Sequence, residues 1–236
     1  MERFGVDVEG WRKWRETVAA TAKLQALRTN VYIDGFNLYY GALRDRPGCK
    51  WLDLAAFGRA LLLPDQDLHR VRYFIARVGG RGVDHELPQR QDTFLRAVAT
   101  LPEVSIHEGY FQTKPTRLPL ASSPNHAPEI VEVLRTEEKG SDVNLATHLL
   151  LDAFREDAEV AVVVSDDFDL KEPLRVARHD LGRTLGIASP RRNPRLGRAV
   201  EANFYRPIRE AMLRESQLPE TVRDDGGSIH RPSSWA

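Results

Sequence analysis

The sequence has little of several features that define large classes of protein. Cys49 is its one cysteine, so no disulfide can form within the chain, which is typical of the reducing cytoplasm. The longest apolar run, LAAFGRALLL, is interrupted by Arg59 and is too short to span a bilayer. The N-terminus is charged throughout and lacks the apolar core of a signal peptide. These absences predict a cytoplasmic protein with no membrane partner.

Several familiar catalytic motifs are also missing. The chain has no G-x-S-x-G nucleophile motif, no P-loop lysine motif and no G-x-G-x-x-G fingerprint. Its seven histidines are scattered without metal-ligand spacing, and Cys49 has no evident base beside it. These absences argue against a serine or cysteine hydrolase, a P-loop nucleotide site and a histidine-based metal site.

The charge is balanced overall but unevenly distributed. Lys and Arg total 34, as do Asp and Glu, and the 42% hydrophobic content is enough for a core. Residues 171–215 nevertheless carry 11 basic and 5 acidic side chains. A basic segment of this kind suits an anionic substrate, and a solvated helical face is the alternative interpretation. Four arginines cluster in SPRRNPRLGR: Arg191, Arg192, Arg195 and Arg198.

Strands alternate with amphipathic helices along most of the chain. AVVV at 161–164 is typical of a buried central strand, and SDVNLATHLLLDAF at 141–154 is typical of a helix. This alternation predicts an α/β fold, a three-layer α/β/α sandwich around a mostly parallel sheet. The proline-rich residues 112–128 are predicted to be a loop. The domain prediction is a helical extension (1–28), a main domain (29–190), a basic helical segment (191–216) and a disordered tail (217–236).

Acidic residues lie where predicted strands end and a helix begins. Asp34 closes the first strand, Asp166, Asp167 and Asp169 follow the valine-rich strand, and Asp142 opens a helix. Neighbouring strands lie about 4.8 Å apart, so carboxylates at adjacent strand ends would converge and share a proton or a metal. Oxygen-only ligands favour Mg²⁺ or Mn²⁺. Taken singly, each acid could instead be a turn or capping residue.

Three blocks together resemble a known family. VYIDGFNLYY, EEKGSDVNLATHLLLDAF and VVVSDDFDLKEPLRVAR resemble the signature blocks of the NYN domain, a LabA-like branch of the PIN-like nuclease superfamily. The resemblance covers roughly residues 29–190. It implies a PIN-like fold and a ribonuclease that depends on Mg²⁺ or Mn²⁺.

The resemblance also implies roles for particular residues. Asp34 and Asp167 would bind the metal directly, Asp142 and Asp169 would complete the site, and Asn37 would orient a carboxylate or the phosphate. Asp166 takes the family's usual glycine place, so which of Asp166 and Asp167 binds the metal stays open.

Further residues complete this expected site. Ser165 would support the ligands, and Gly35 would let the chain turn close to the substrate. Lys139 would either neutralise phosphate charge or pair with a neighbouring glutamate. The four clustered arginines, together with Lys114 and Arg117, would bind substrate.

The leading functional hypothesis is therefore an endoribonuclease in which a metal-activated water cleaves RNA, with tRNA as one candidate. A catalytically silent RNA-binding module, a phosphatase and a DNA nuclease are the alternatives. The sequence leaves open a homodimer and a regulatory protein partner.

Overall fold

The structure, a computed structural model, describes residues 26–79, 84–120, 130–191 and 195–235. Its centre is a seven-stranded sheet flanked by helices, which confirms the predicted α/β sandwich. The sheet strands are β1 Leu27–Asp34, β2 Gln66–Ala76, β3 Val104–Pro119, β4 Ile130–Lys139, β5 Val160–Val164, β6 Thr184–Ser189 and β7 Phe204–Pro207. The α-helices are α1 Gly35–Leu38, α2 Leu54–Leu61, α3 Leu87–Val98, α4 Ser141–Phe154, α5 Lys171–Arg175, α6 Arg195–Ala199 and α7 Glu210–Glu215.

The strand order β4-β3-β2-β1-β5-β6-β7 places β1 and β5 side by side at the centre. Every neighbouring pair is parallel except β3 with β4. From β1 the chain builds one half of the sheet outward through β2 and β3, and from β5 it builds the other half through β6 and β7. The strand order therefore reverses between β1 and β5, and ligands of such sheets bind beyond the carboxyl ends of strands at that point.

The central strands are buried on both faces of the sheet. In β1, Val31 and Ile33 join one hydrophobic cluster, and the intervening Tyr32 joins a second cluster. Val162 and Val163 of β5 divide between the same two clusters. Because side chains alternate along a strand, this run fills both layers of core at once. The valine-rich segment is thus the central strand that the sequence predicts.

The proline-rich region differs from its predicted loop. β3 continues to Pro119 and pairs with β4 in a long hairpin arm. β2 pairs only with Val104–Gly109, so Pro115 lies where β3 has a single partner strand. Proline is tolerated at such an open strand edge, because its missing N–H is not needed there. Residues 121–129 lie outside the described residues.

The C-terminal predictions also need correction. The segment 191–216, predicted to be helical, contributes β7 to the sheet as well as α6 and α7. The tail, predicted to be disordered, forms a hairpin of β8 Thr221–Asp224 and β9 Gly227–His230 and ends with Trp235 in the core. Leu218, Ile229 and Trp235 of this tail are buried in the hydrophobic core, which holds the tail against the domain. Most of the predicted N-terminal extension falls outside the part of the chain that the structure describes.

Candidate functional site

The acidic residues of two distant segments meet at the carboxyl ends of β1 and β5. Asp34 is the last residue of β1, and Ser165 and Asp167 directly follow β5. The parallel pairing of Ile33 with Val164 aligns the two strand ends. This is the reversal point of the strand order, and it is where the sequence predicts the site.

Asp34 is buried and held by neutral donors. One carboxylate oxygen accepts a hydrogen bond from the backbone N–H of Asn37 (2.9 Å), which caps α1. The other accepts from the Ser165 hydroxyl, also at 2.9 Å. Burial raises the pKa of Asp34, the two hydrogen bonds oppose that rise, and the nearby Asp167 adds to it. The two hydrogen bonds therefore fix the carboxylate in place, while burial and the charge of Asp167 make its ionised form unfavourable.

Ser165 and Asn37 tie the two strand ends together. The Ser165 hydroxyl oxygen accepts from the Asp167 backbone N–H (3.0 Å) while the hydroxyl donates to Asp34. The Asn37 side-chain oxygen accepts from the backbone N–H of Asp166 (3.1 Å). Both therefore position the acidic loop against β1. The support of metal ligands expected of Ser165 stays a prediction.

The two adjacent aspartates after Ser165 point to different places. Asp167 lines the pocket at the strand ends, and its carboxylate caps the following turn by accepting from the Asp169 backbone N–H. Asp166 instead accepts from the backbone N–H of Arg191 (2.9 Å) and is not part of the pocket lining. Of this pair, Asp167 is placed to contact a ligand, whereas Asp166 holds the loop after β6. Asp169 is exposed and is not part of the pocket lining.

A third segment supplies Asp142 from the first turn of α4. Burial raises the pKa of Asp142 to about 6, and the negative charges of Asp34, Asp167, Glu138 and Asp169 add to the rise. The four charged residues that act on Asp142 are all acidic, so this side of the pocket concentrates negative charge.

Glu138 is a pocket residue that sequence reasoning treated only as a partner for Lys139. It lines the pocket, and its side chain accepts from the Ser141 backbone N–H at 3.0 Å. Its position four residues before Asp142, across a glycine turn, is the signal that could have identified it. Lys139 pairs with Glu137 (3.0 Å) and does not line the pocket, as the second interpretation of its role predicted.

Glycines allow the surrounding chain to pack closely. A Cβ atom at Gly109 would lie 2.5 Å from a Glu138 side-chain oxygen, so β3 can approach the turn before α4 only with glycine there. Gly140 has a φ of 98°, the left-handed conformation that glycine adopts most easily. Gly35 was expected to face the substrate, but a Cβ there would lie 2.8 Å from the Phe74 carbonyl oxygen. Its role is packing of α1 against β2.

Aromatic rings form the other wall of the pocket. Phe36, Tyr40 and Phe111 line it together with the acids. Phe36 lies 6.4 Å from Tyr40 in a nearly parallel arrangement and 5.7 Å from Phe111 in an edge-on arrangement. The cavity has a volume of about 280 Å³, close to the lower end of the ~300–1,000 Å³ range of small-molecule sites. It therefore offers flat apolar surface beside carboxylates, a combination that suits a small aromatic molecule with polar groups.

The predicted basic residues are divided between the pocket and more distant surface. Arg191 lines the pocket, and Arg192 lies outside the described residues. Arg195 and Arg198 are exposed on α6. Lys114 and Arg117 are exposed on the hairpin arm of β3 and β4, where Arg117 faces Glu132. Arg191 alone of this set, within the described ranges, lines the pocket.

The oxygen ligands of the acidic set match the chemistry of Mg²⁺ or Mn²⁺. Both oxygens of Asp34 already accept hydrogen bonds. Across the ranges that the structure describes, no three acidic, histidine or cysteine side chains are grouped closely enough to hold a metal ion. The metal prediction and the ligand roles of Asp34, Asp142, Asp167, Asp169 and Asp166 therefore stay predictions.

Comparison with known proteins changes the functional interpretation. The chain is 29% identical over 240 residues to 6-hydroxy-3-succinoylpyridine 3-monooxygenase HspA of Pseudomonas putida (strain DSM 28022 / S16). The alignment covers 89% of this chain and 76% of that protein. No family model matches, so the resemblance to the NYN domain stays a prediction.

A solved structure is also similar to this chain. It is the crystal structure of VPA0982, a protein of unknown function from Vibrio parahaemolyticus RIMD 2210633, with a TM-score of 0.49 and 16% identity. The match covers 80% of this chain and 96% of that one. At this similarity it supports no statement about function.

The similarity to a monooxygenase contradicts the prediction of a ribonuclease. That relative is named a monooxygenase, so the predicted class of metal-dependent hydrolase is wrong. Carboxylates at strand ends suit phosphodiester chemistry when taken alone, but the aromatic wall beside them forms only in the folded chain and is not visible in the sequence. RNA, a homodimer and a regulatory protein stay predictions as partners. No helix within the described ranges is long and apolar enough to cross a membrane.

Proposed function

We propose that this chain is an oxidoreductase that hydroxylates a small aromatic compound, and that the pocket at the ends of β1 and β5 is its substrate site. The observation that carries the proposal is the similarity to a pyridine monooxygenase along 89% of the chain. The single cysteine is consistent with a cytoplasmic location.

The lining of the pocket supports an aromatic substrate. A planar ring can pack against Phe36, Tyr40 and Phe111, since aromatic groups favour offset-parallel and edge-on contacts. The carboxylates of Asp142 and Glu138 can accept hydrogen bonds from a ring hydroxyl or a ring N–H. Arg191 supplies a cation at the same pocket.

Asp142 is the residue best suited to accept a proton. Its pKa of about 6 leaves it mostly ionised at neutral pH while keeping it basic enough to take a proton from a ring hydroxyl. Deprotonation of that hydroxyl makes the ring richer in electrons and easier to attack by electrophilic oxygen. Asp34 and Asp167 sustain this pKa, because their negative charges disfavour ionisation of Asp142.

The overall reaction requires dioxygen and a two-electron donor. At a ring carbon that bears hydrogen, one oxygen atom enters the C–H bond, the other leaves as water, and one reduced nicotinamide supplies a hydride that combines with one proton from solvent. At a ring carbon that bears an acyl group, as position 3 of 6-hydroxy-3-succinoylpyridine does, the carbon–carbon bond breaks instead, the acyl group leaves as an aldehyde, and a second hydride and a second proton are consumed. Dioxygen must be activated by a group such as a flavin. Mg²⁺ or Mn²⁺ is the alternative cofactor by ligand type alone, since the described acids are not grouped closely enough to hold an ion.

The experiment is a hydroxylation assay with isotopically labelled dioxygen. The purified chain is incubated with 6-hydroxy-3-succinoylpyridine and related hydroxypyridines, NADH or NADPH, and either a flavin or a divalent metal. Mass spectrometry is expected to show one labelled oxygen atom in the product. Asp65→Asn, an exposed acid before β2, serves as the matched control for Asp142→Asn. Absence of label from every product, with nicotinamide oxidation at background level, would overturn the proposal.

A further inference from the structure

A second, apolar cavity lies beside the acidic pocket. It has a volume of about 90 Å³, and Phe36 and Tyr40 line both spaces. Tyr73 also lines the apolar cavity, and burial together with the charge of Asp34 raises the pKa of Tyr73. The two cavities are therefore close neighbours.

Aromatic residues from distant segments build the walls of this cavity. Tyr39 comes from the helix that continues α1, Phe94 from α3 and Trp235 from the C-terminal end. Phe94 lies 6.1 Å from Trp235 and 6.3 Å from Tyr73 between ring centroids. These contacts fix the walls, because the buried rings hold one another in place.

Lys50 is the charged residue of this lining. Its ammonium nitrogen lies 5.6 Å from the centroid of the Tyr39 ring. The backbone N–H of Lys50 donates to the Pro47 carbonyl, and the next residue, Trp51, is fully buried, so the backbone at Lys50 is anchored. The partly buried side chain therefore extends from a fixed backbone over the Tyr39 ring.

The charge of Lys50 is only weakly balanced. Among the described residues no carboxylate forms an ion pair with it. Burial lowers the pKa of Lys50, the positive charge of Arg90 lowers it further, and Asp45 opposes both. A partly buried cation without an ion-pair partner is stabilised by an anionic ligand.

Gln91 supplies the amide group of the lining, and that group is already satisfied. Its amide nitrogen donates to the Ala76 carbonyl (3.0 Å), and its oxygen accepts from the Val78 N–H (2.8 Å). The Gln91 side chain therefore links β2 to α3 and stabilises the wall of the cavity. Lys50 is the cationic group of the lining that can pair with a ligand's carboxylate, and the lining tyrosines add hydroxyl groups.

The size of the cavity limits what it can hold. An engineered cavity of about 150 Å³ accepts a benzene ring, and this one is smaller, at about 90 Å³. It suits a short aliphatic chain, and the larger pocket next to it suits the ring. We propose that this cavity binds the short aliphatic arm of an organic acid and that Lys50 pairs with its carboxylate. The inference deepens the proposed function, on which it rests for the aromatic part of the ligand.

The test is a binding measurement that requires no turnover. Phenylbutyrate and its neutral amide, phenylbutyramide, carry the same ring and chain and differ in charge. Isothermal titration calorimetry on the full chain is expected to show that the acid binds roughly tenfold more tightly than the amide, as one charge-assisted hydrogen bond supplies. Lys50→Gln is expected to remove this difference, and Lys50→Arg to retain most of it. Lys171→Gln, which changes an exposed lysine of α5, is the matched control.

A second variant separates the cavity from the charge. Val78→Phe reduces the space without removing Lys50, so it is expected to weaken the acid and the amide alike. Equal affinities of acid and amide for the unmodified chain, or an unchanged preference in Lys50→Gln, would overturn the proposal. Acid-selective binding without hydroxylation would overturn the proposed function and leave this inference standing, whereas hydroxylation without acid selectivity would do the reverse.

Discussion

Asp34 and Asp152 are two aspartates with nearly the same burial, at 5% and 4% exposure, but opposite surroundings. Asp152 binds the Arg72 guanidinium through both oxygens, at 2.6 and 2.7 Å, and accepts from the Tyr32 hydroxyl at 2.9 Å. Asp34 has two neutral donors and a second acid nearby. Tyr32 lies only two residues before Asp34 in β1, so the same strand carries both arrangements within one alternation of its side chains.

The difference separates a structural charge from a functional one. The ion pair of Asp152 with Arg72 uses two parallel hydrogen bonds and joins α4 to β2, so the Asp152 carboxylate is not available to a ligand. A carboxylate held by neutral groups keeps its charge available to a ligand, at some cost to stability. Substitutions at the two positions should therefore have opposite effects on folding.

The largest effect is expected from Asp152→Ala. The change leaves the Arg72 guanidinium buried without a counter-charge, so the free energy of unfolding should fall by about 3–5 kcal/mol. Urea unfolding followed by circular dichroism measures this loss. The double variant Asp152→Leu/Arg72→Met, which removes both charges, should recover most of it. A loss below about 1 kcal/mol for Asp152→Ala would contradict the structural role.

The next effect is expected from Asp142→Asn, on catalysis. Loss of the proton acceptor should lower the hydroxylation rate by about a hundredfold, or ~2.7 kcal/mol in the barrier. Because the pKa of Asp142 is about 6 and its ionised form accepts the proton, the wild-type rate should rise as pH increases through 6 and then level off. The variant should lack that rise, which a pH–rate profile tests. A variant with the same rise would assign the proton transfer to another group.

The smallest effect is expected from Asp34→Asn, on stability. A raised pKa means that the folded state binds the proton more tightly than the unfolded state, so the charged form destabilises the fold at neutral pH. Asparagine keeps the acceptor for the Asn37 N–H, and the free energy of unfolding should rise by about 1 kcal/mol at neutral pH. The gain should shrink as pH falls and wild-type Asp34 takes up its proton. Unfolding curves at several pH values measure it, and a loss of stability at neutral pH would contradict the comparison.

The central sheet could be predicted because its signals are local. Every residue of the valine run in β5 is buried, and an unbroken apolar run of this kind identifies a central strand without knowledge of its neighbours. Asp34 and Asp167 could be placed together because parallel strands bring their carboxyl ends to one edge.

Other parts depend on contacts that the sequence does not display. Pro115 looks like a loop residue until the open edge of β3 is known. The C-terminal hairpin could have been found, since Asp225-Gly226 between two short strands is a favoured two-residue turn. The wall formed by Phe36 and Phe111 joins α1 to the hairpin arm, and only the tertiary fold brings those rings together.

The prediction of function is limited by the same dependence on tertiary contacts. The carboxylates alone are compatible with several reactions, and the aromatic wall and the related monooxygenase redirect the interpretation. Fold class follows from the pattern of strands and helices, whereas chemistry depends on which side chains share a pocket.

The most direct test is transfer of labelled oxygen by wild type, Asp142→Asn and Asp65→Asn assayed side by side with a hydroxypyridine. We predict one labelled atom in the product for wild type and Asp65→Asn, and about a hundredfold less product for Asp142→Asn. Equal labelling by all three proteins would contradict the assignment of the acidic pocket as the active site.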